Sequence, residues 1–75
     1  MEEIYTVVSS GLTYTHGDYI NIVHMYTSGM SLEHIYRIYA KQHKGLSIRS
    51  ARTIVLDALM RYVSLLRYWK KERQE

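Results

Sequence analysis

The spacing of apolar residues changes character along the chain. Residues 4–15 read Ile-Tyr-Thr-Val-Val-Ser-Ser-Gly-Leu-Thr-Tyr-Thr, rich in β-branched and aromatic types. Two such runs, residues 4–8 and 12–15, flank the turn-forming cluster Ser9-Ser10-Gly11. This arrangement predicts a hairpin within an N-terminal arm, residues 1–16. An isolated hairpin is marginal in water. The arm therefore packs on the rest of the chain, pairs with another chain, or stays loosely ordered.

From Asp18 the period becomes helical. Tyr19, Ile22, Val23 and Tyr26 follow the i, i+3, i+4, i+7 spacing of one helix face. Asp18 suits an N-cap and Gly29 a C-terminal stop, which predicts a first helix over residues 18–28. Ser31 suits the next cap, with Leu32, Ile35, Tyr36 and Tyr39 as the apolar face and Gly45 as the stop, so a second helix is expected over 31–43. Ser47 opens a third. Ile48, Ala51, Val55, Leu59, Tyr62, Leu66 and Trp69 keep one face, and neither Gly nor Pro interrupts residues 46–75. The third helix is expected over 47–72, about 38 Å long at 1.5 Å per residue.

Composition narrows the class. Seventy-five residues allow one small domain with a thin core, the arm followed by a tri-helical unit over 17–75. The absence of cysteine excludes disulfides, iron–sulfur clusters and cysteine-type zinc sites. No apolar run approaches a membrane span, and the acidic start Met1-Glu2-Glu3-Ile4 does not read as a signal peptide. The expectation is a mostly α, reduced, cytoplasmic protein with no membrane partner, stabilised by helix packing, by oligomerisation or by both.

Charge changes the picture further. The formal net charge is +3, but residues 1–40 hold one basic against four acidic residues, and residues 41–75 hold nine against three. A −3 half is thus joined to a +6 half. A basic segment of this kind is the electrostatic footprint of a polyanion such as nucleic acid.

The order is helix, Gly-x-Ser turn, helix, Gly-x-Ser turn, long helix, carried by Ser28-Gly29-Met30-Ser31 and by Lys44-Gly45-Leu46-Ser47-Ile48-Arg49-Ser50-Ala51-Arg52-Thr53. Over residues 18–60 it resembles the tri-helical helix-turn-helix domains of resolvases, LuxR-type regulators and sigma-factor region 4. The connection between the second and third helices is about two residues longer than the usual tight turn of that class. The resemblance implies a small transcription regulator, bacterial or phage in style, that binds double-stranded DNA and reads the major groove with the start of its third helix.

Projected at 100° per residue from Ile48, Arg49, Thr53, Asp57 and Ser50 fall at about 100°, 140°, 180° and 200°, the expected solvent face, and Arg52 falls at its rim near 40°. Arg49 is the expected base reader, because a guanidinium pairs bidentately with guanine. Ser50 and Thr53 are expected at bases or phosphates, Arg52, Lys41 and Lys44 at phosphates, and Ser47 offers a helix-start N–H to a phosphate. Leu56, Met60, Val63 and Trp69 exceed what a one-sided core needs, and they are expected to form a homodimer or partner interface. The arm is a second candidate for covering that surface, within one chain or by strand exchange. Arg67, Tyr68, Lys70, Lys71 and Arg73 around Trp69 make a basic, aromatic helix end, as the helix dipole favours.

With eight Tyr and no Phe, tyrosine is expected to do phenylalanine's packing work. Tyr19, Tyr26, Tyr39 and Tyr62 are placed in the core, and Tyr5, Tyr14, Tyr36 and Tyr68 at the surface. His16, His24, His34 and His43 are never four residues apart, so no metal is expected, and no nucleophile triad, P-loop or other cofactor fingerprint is present. The chain is read as a non-enzyme. The rival class is a small helical interaction module or inhibitor that binds a transcription or polymerase component instead of DNA; RNA binding is a weaker third.

Overall fold

The structure, a computed structural model, describes residues 2–73. It is mostly α. Two short strands, β1 (Ile4–Thr6) and β2 (Thr13–Thr15), precede three helices, α1 (His16–Thr27), α2 (Leu32–Gln42) and α3 (Ile48–Arg73). The strands pair antiparallel with Tyr5 opposite Tyr14. The hairpin loop closes through the Val7 N–H to the Leu12 carbonyl, 2.7 Å, and the Gly11 N–H to the Val7 carbonyl, 2.8 Å. Gly11 adopts φ +78° there, a conformation that costs a residue without Cβ little. Alternation sends Tyr5, Val7 and Tyr14 to one face, and Val7 and Tyr14 are buried.

Helix α1 begins earlier than its apolar period. Its N-cap is Thr15, the last residue of β2, already extended at φ −88° and ψ 166°. The Thr15 hydroxyl accepts the Asp18 N–H at 3.1 Å, and the Asp18 carboxylate accepts the Thr15 N–H at 3.2 Å. Asp18 is therefore the third residue of a capping box and not the cap. Strand and helix join without a linker, so His16 and Gly17 enter the helix ahead of the first buried side chain. The other end of α1 follows expectation: Gly29 sits at φ +93°, with the Met30 N–H bonded to the Met25 carbonyl and the Gly29 N–H to the Tyr26 carbonyl. This double closure is a Schellman motif. Ser31 caps α2 as expected, accepting the His34 N–H. Ser47 accepts the Ser50 N–H and its carbonyl receives the Ala51 N–H, which makes it the cap of α3.

The core joins Val7 and Tyr14 of the arm to Tyr19, Ile22, Ile35, Tyr36, Tyr39, Ala51, Ile54, Val55, Ala58 and Leu59. It ends near Tyr62, which is half-buried. Beyond it α3 runs on outside the body, so the molecule measures 47 × 27 × 24 Å. Leu66 and Trp69, expected on the buried face, are 50% and 58% exposed, and Ile48 at the other end is 50% exposed. Three tyrosine expectations are corrected. Tyr14 and Tyr36 are buried, because the first faces inward from the sheet and the second lies on the packed side of α2. Tyr26, in the last turn of α1, is 44% exposed, because it faces an open groove beside Leu56 and Val63 instead of the core.

Candidate nucleic-acid interface

Two internal polar clusters decide which charges reach the surface. The first lies between the arm and α3. The Tyr14 hydroxyl donates to Asp57 Oδ2 at 2.6 Å and accepts from Arg61 Nε at 2.8 Å. Arg61 also donates to Asp57 Oδ2 at 3.1 Å and to the Thr6 carbonyl at 3.3 Å. Its guanidinium stacks 4.7 Å from the Tyr5 ring centroid. Burial, followed by the bond to Asp57, holds the Tyr14 phenol above its ordinary pKa of 10.0. Asp57, expected on the solvent face of α3, is thus turned onto the arm. The arm covers the side of α3 near 180–220° in an about 100°-per-residue projection, and leaves the side carrying Leu56, Met60 and Val63 open.

The second cluster holds the connection between α2 and α3. The His43 ring stacks on Tyr39 with centroids 4.1 Å apart. His43 Nε2 lies 3.5 Å from Asp18 Oδ1, and its Nδ1 lies 3.0 Å from the Tyr39 carbonyl. The Tyr39 hydroxyl donates to Asp18 Oδ2 at 3.2 Å, and burial, then the nearby Asp18 charge, raises its pKa. The Leu46 N–H closes onto the His43 carbonyl around Gly45 at φ +84°. The longer connection is therefore tied to both preceding helices, and it delivers Lys44 and the start of α3 to the surface.

Asp18 and Asp57 are both spent in these clusters. Between residues 17 and 71 the one remaining acid is Glu33. Lys41, Lys44, Arg49 and Arg52 are exposed, and among the described residues the ion pairs are Asp57–Arg61 and Asp18–His43 alone. These four cations, on the last turn of α2, the connection and the first two turns of α3, have no acidic partner there. The exposed Ser47 is occupied as a cap. Ser50 and Thr53 are half-buried: Ser50 accepts a bond from the Ser47 hydroxyl, and Thr53 donates to the Arg49 carbonyl. Arg49 and Arg52 thus carry more free donor capacity than the hydroxyls.

The four residues expected at an interface do not form one surface. Leu56, Met60 and Val63 line a groove of about 410 Å³ with Tyr26 and Leu32, the apolar residues that close α1 and open α2. Trp69 projects about 180° from Met60 around the helix axis. Met60, 70% exposed, also borders a second groove of about 630 Å³, with Tyr5, His16, Tyr19 and Arg61. The sequence reading missed both clusters and the Tyr26–Leu32 side of the first groove. One signal was present: Asp57 is the sole acid among residues 41–71, and Arg61 stands four residues on, a helical pairing distance.

Among the described residues no three His, Asp or Glu side chains converge as metal ligands would, and no helix is long and apolar enough to cross a membrane. Comparison with protein-family models, curated proteins and solved structures found no match to this chain.

Proposed function

We propose that this protein is a DNA-binding regulator of helix-turn-helix type that enters the major groove with the first turns of α3. One observation carries the reading: Lys41, Lys44, Arg49 and Arg52 are exposed without acidic partners, while Asp18 and Asp57 are consumed inside the fold. In this reading Arg49 reads a base edge, Arg52 with Lys41 and Lys44 holds phosphates, and the Asp18–Tyr39–His43 cluster sets the position of the connection. The reading places the chain where DNA is, in the cytoplasm, and involves no catalysis and no cofactor. It includes pairing of two chains to match two half-sites. The side of α3 carrying Leu66 and Trp69 suits that pairing, because both are exposed and no charged residue lies between Tyr62 and Leu66.

Titration of random duplex DNA at 50 and 200 mM salt tests the reading. With about four phosphate contacts, affinity falls about 100-fold between the two conditions. Replacing Arg49 and Arg52 together by Ala removes binding while the helical circular dichroism is kept. Absence of binding at 50 mM salt and high micromolar protein overturns it. The second reading, a module that binds a transcription or polymerase component, is favoured by the apolar groove at Tyr26, Leu32, Leu56, Met60 and Val63.

A further inference from the structure

On the exposed side of α3, successive turns change in character. Arg52 comes first, then Leu56, Met60 and Val63, then Arg67 and Lys70, all within about 80° of azimuth. The apolar middle is the floor of the groove whose far bank is Tyr26 and Leu32. Leu32, Val63, Tyr26 and Met60 are 39%, 41%, 44% and 70% exposed, so the groove is open along its length. From Leu56 to Arg67 it extends about 16 Å, three helical turns. Arg67 lines it directly, and Arg52 stands one turn before Leu56. The far bank carries one acid, Glu33, beside Leu32. The α3 bank therefore sets the sign, positive at both ends.

From this pattern we infer that the groove receives an amphipathic helix of a partner protein, about three turns long, with apolar residues at i, i+3 or i+4 and i+7 and with acidic residues at both ends. Charge selects this occupant. A second copy of the chain laid antiparallel would set Arg52 against Arg67 and Lys70, and one laid parallel would set each cation against itself. A partner with acidic ends pairs with both. The mode is helix-in-groove recognition, with Met60 as the adaptable contact. The inference goes beyond DNA binding: Arg52 borders both surfaces, but Arg49, Lys41 and Lys44 play no part in the groove, and Met60, Val63 and Arg67 play none in the DNA surface.

The test uses the full chain and a fluorescent helical peptide of about fifteen residues, with leucines at i, i+3 and i+7 and glutamates at both ends. A second peptide carries lysine in place of each glutamate. Fluorescence anisotropy should show saturable binding of the acidic peptide, at least tenfold tighter than the lysine form. Met60→Glu, at an exposed position, should weaken it at least tenfold, as should Arg67→Glu. Val8→Glu, at a 94% exposed position in the hairpin loop, should leave it unchanged. Arg49→Ala should leave peptide binding intact while DNA binding falls, which separates this proposal from that of the DNA surface. Equal binding of the two peptides, or binding indifferent to both Met60→Glu and Val63→Glu, overturns the inference. So does a chain that ignores the acidic peptide while binding anionic vesicles, or one whose sedimentation mass drops from dimer to monomer on Met60→Glu.

Discussion

The two ends of α3 follow one periodicity and meet opposite surroundings. Up to Arg61 the helix is packed by α1, α2 and the arm, apart from its exposed first residue, Ile48, and the open side that carries Arg49, Arg52 and Met60. Ala51, Ile54, Val55, Ala58 and Leu59 are buried there, and Asp57 and Arg61 are bonded to the arm. Beyond Tyr62, Leu65, Leu66, Tyr68 and Trp69 are all about half-exposed, and of these only Leu65 borders a groove shared with the described residues of the arm and α1. The same residue types thus stabilise the monomer in one stretch and remain available for association in the other. Where an apolar stripe ends up depends on the length of its neighbours: α1 and α2 have 12 and 11 residues and α3 has 26.

The largest test of this contrast is a pair of truncations. Ile54→Ala, in the packed stretch, should cost about 2–5 kcal/mol of unfolding free energy. Leu66→Ala, in the projecting stretch, should stay within about 0.5 kcal/mol at low protein concentration. Urea midpoints at unchanged slope measure both. Equal costs would erase the distinction. A Leu66→Ala cost that appears only at high concentration would show that a second chain covers the projecting end.

A smaller effect sharpens the role of the arm. Tyr14→Phe keeps the buried ring and removes the hydroxyl shared by Asp57 and Arg61. The expected loss is about 1–2 kcal/mol, with a matching loss of protection at the arm's amides in hydrogen exchange. Full stability in Tyr14→Phe would show that the ring alone anchors the hairpin.

The smallest effect is alkaline. In the folded chain Tyr14 and Tyr39 hold their protons above the ordinary pKa of 10.0, while in the unfolded chain they ionise at the ordinary value. The stability they contribute is complete below pH 10 and is lost as pH rises beyond it. Phenolate absorbance followed beside helical circular dichroism checks this: the last tyrosines should ionise together with the loss of helix. Ionisation of all eight with the helix intact would mean that the clusters around Asp18 and Asp57 are open to water.

Much of the architecture was legible from local patterns. Ser31, Gly29 and Ser47 act through bonds to neighbours within five residues, so their roles as cap, stop and cap can be read without tertiary knowledge. The hairpin was legible for the same reason. Asp18 was misread as a cap because the strand feeding α1 brings its own cap, Thr15, three residues earlier. Tyr14, Tyr36 and Tyr26 were misplaced because exposure depends on what lies opposite, which periodicity cannot supply. Of the candidate interface, the positions of Lys41, Lys44, Arg49 and Arg52 at the start of α3 and the connection before it were legible. Their freedom from acidic partners was not, since it rests on Tyr14 finding Asp57 across 43 residues and on Tyr39 finding Asp18 across 21.

By itself, the sequence determined the three helices, the hairpin and the split of charge between the two halves, because caps, turns and periodicity act over a few residues. Tertiary structure alone decided that both central carboxylates turn inward, that the arm covers the Asp57 side of α3, and that Tyr26 and Leu32 meet Leu56 and Met60 as one groove. Those outcomes follow from contacts between segments distant in sequence, where packing chooses which of several plausible faces is covered.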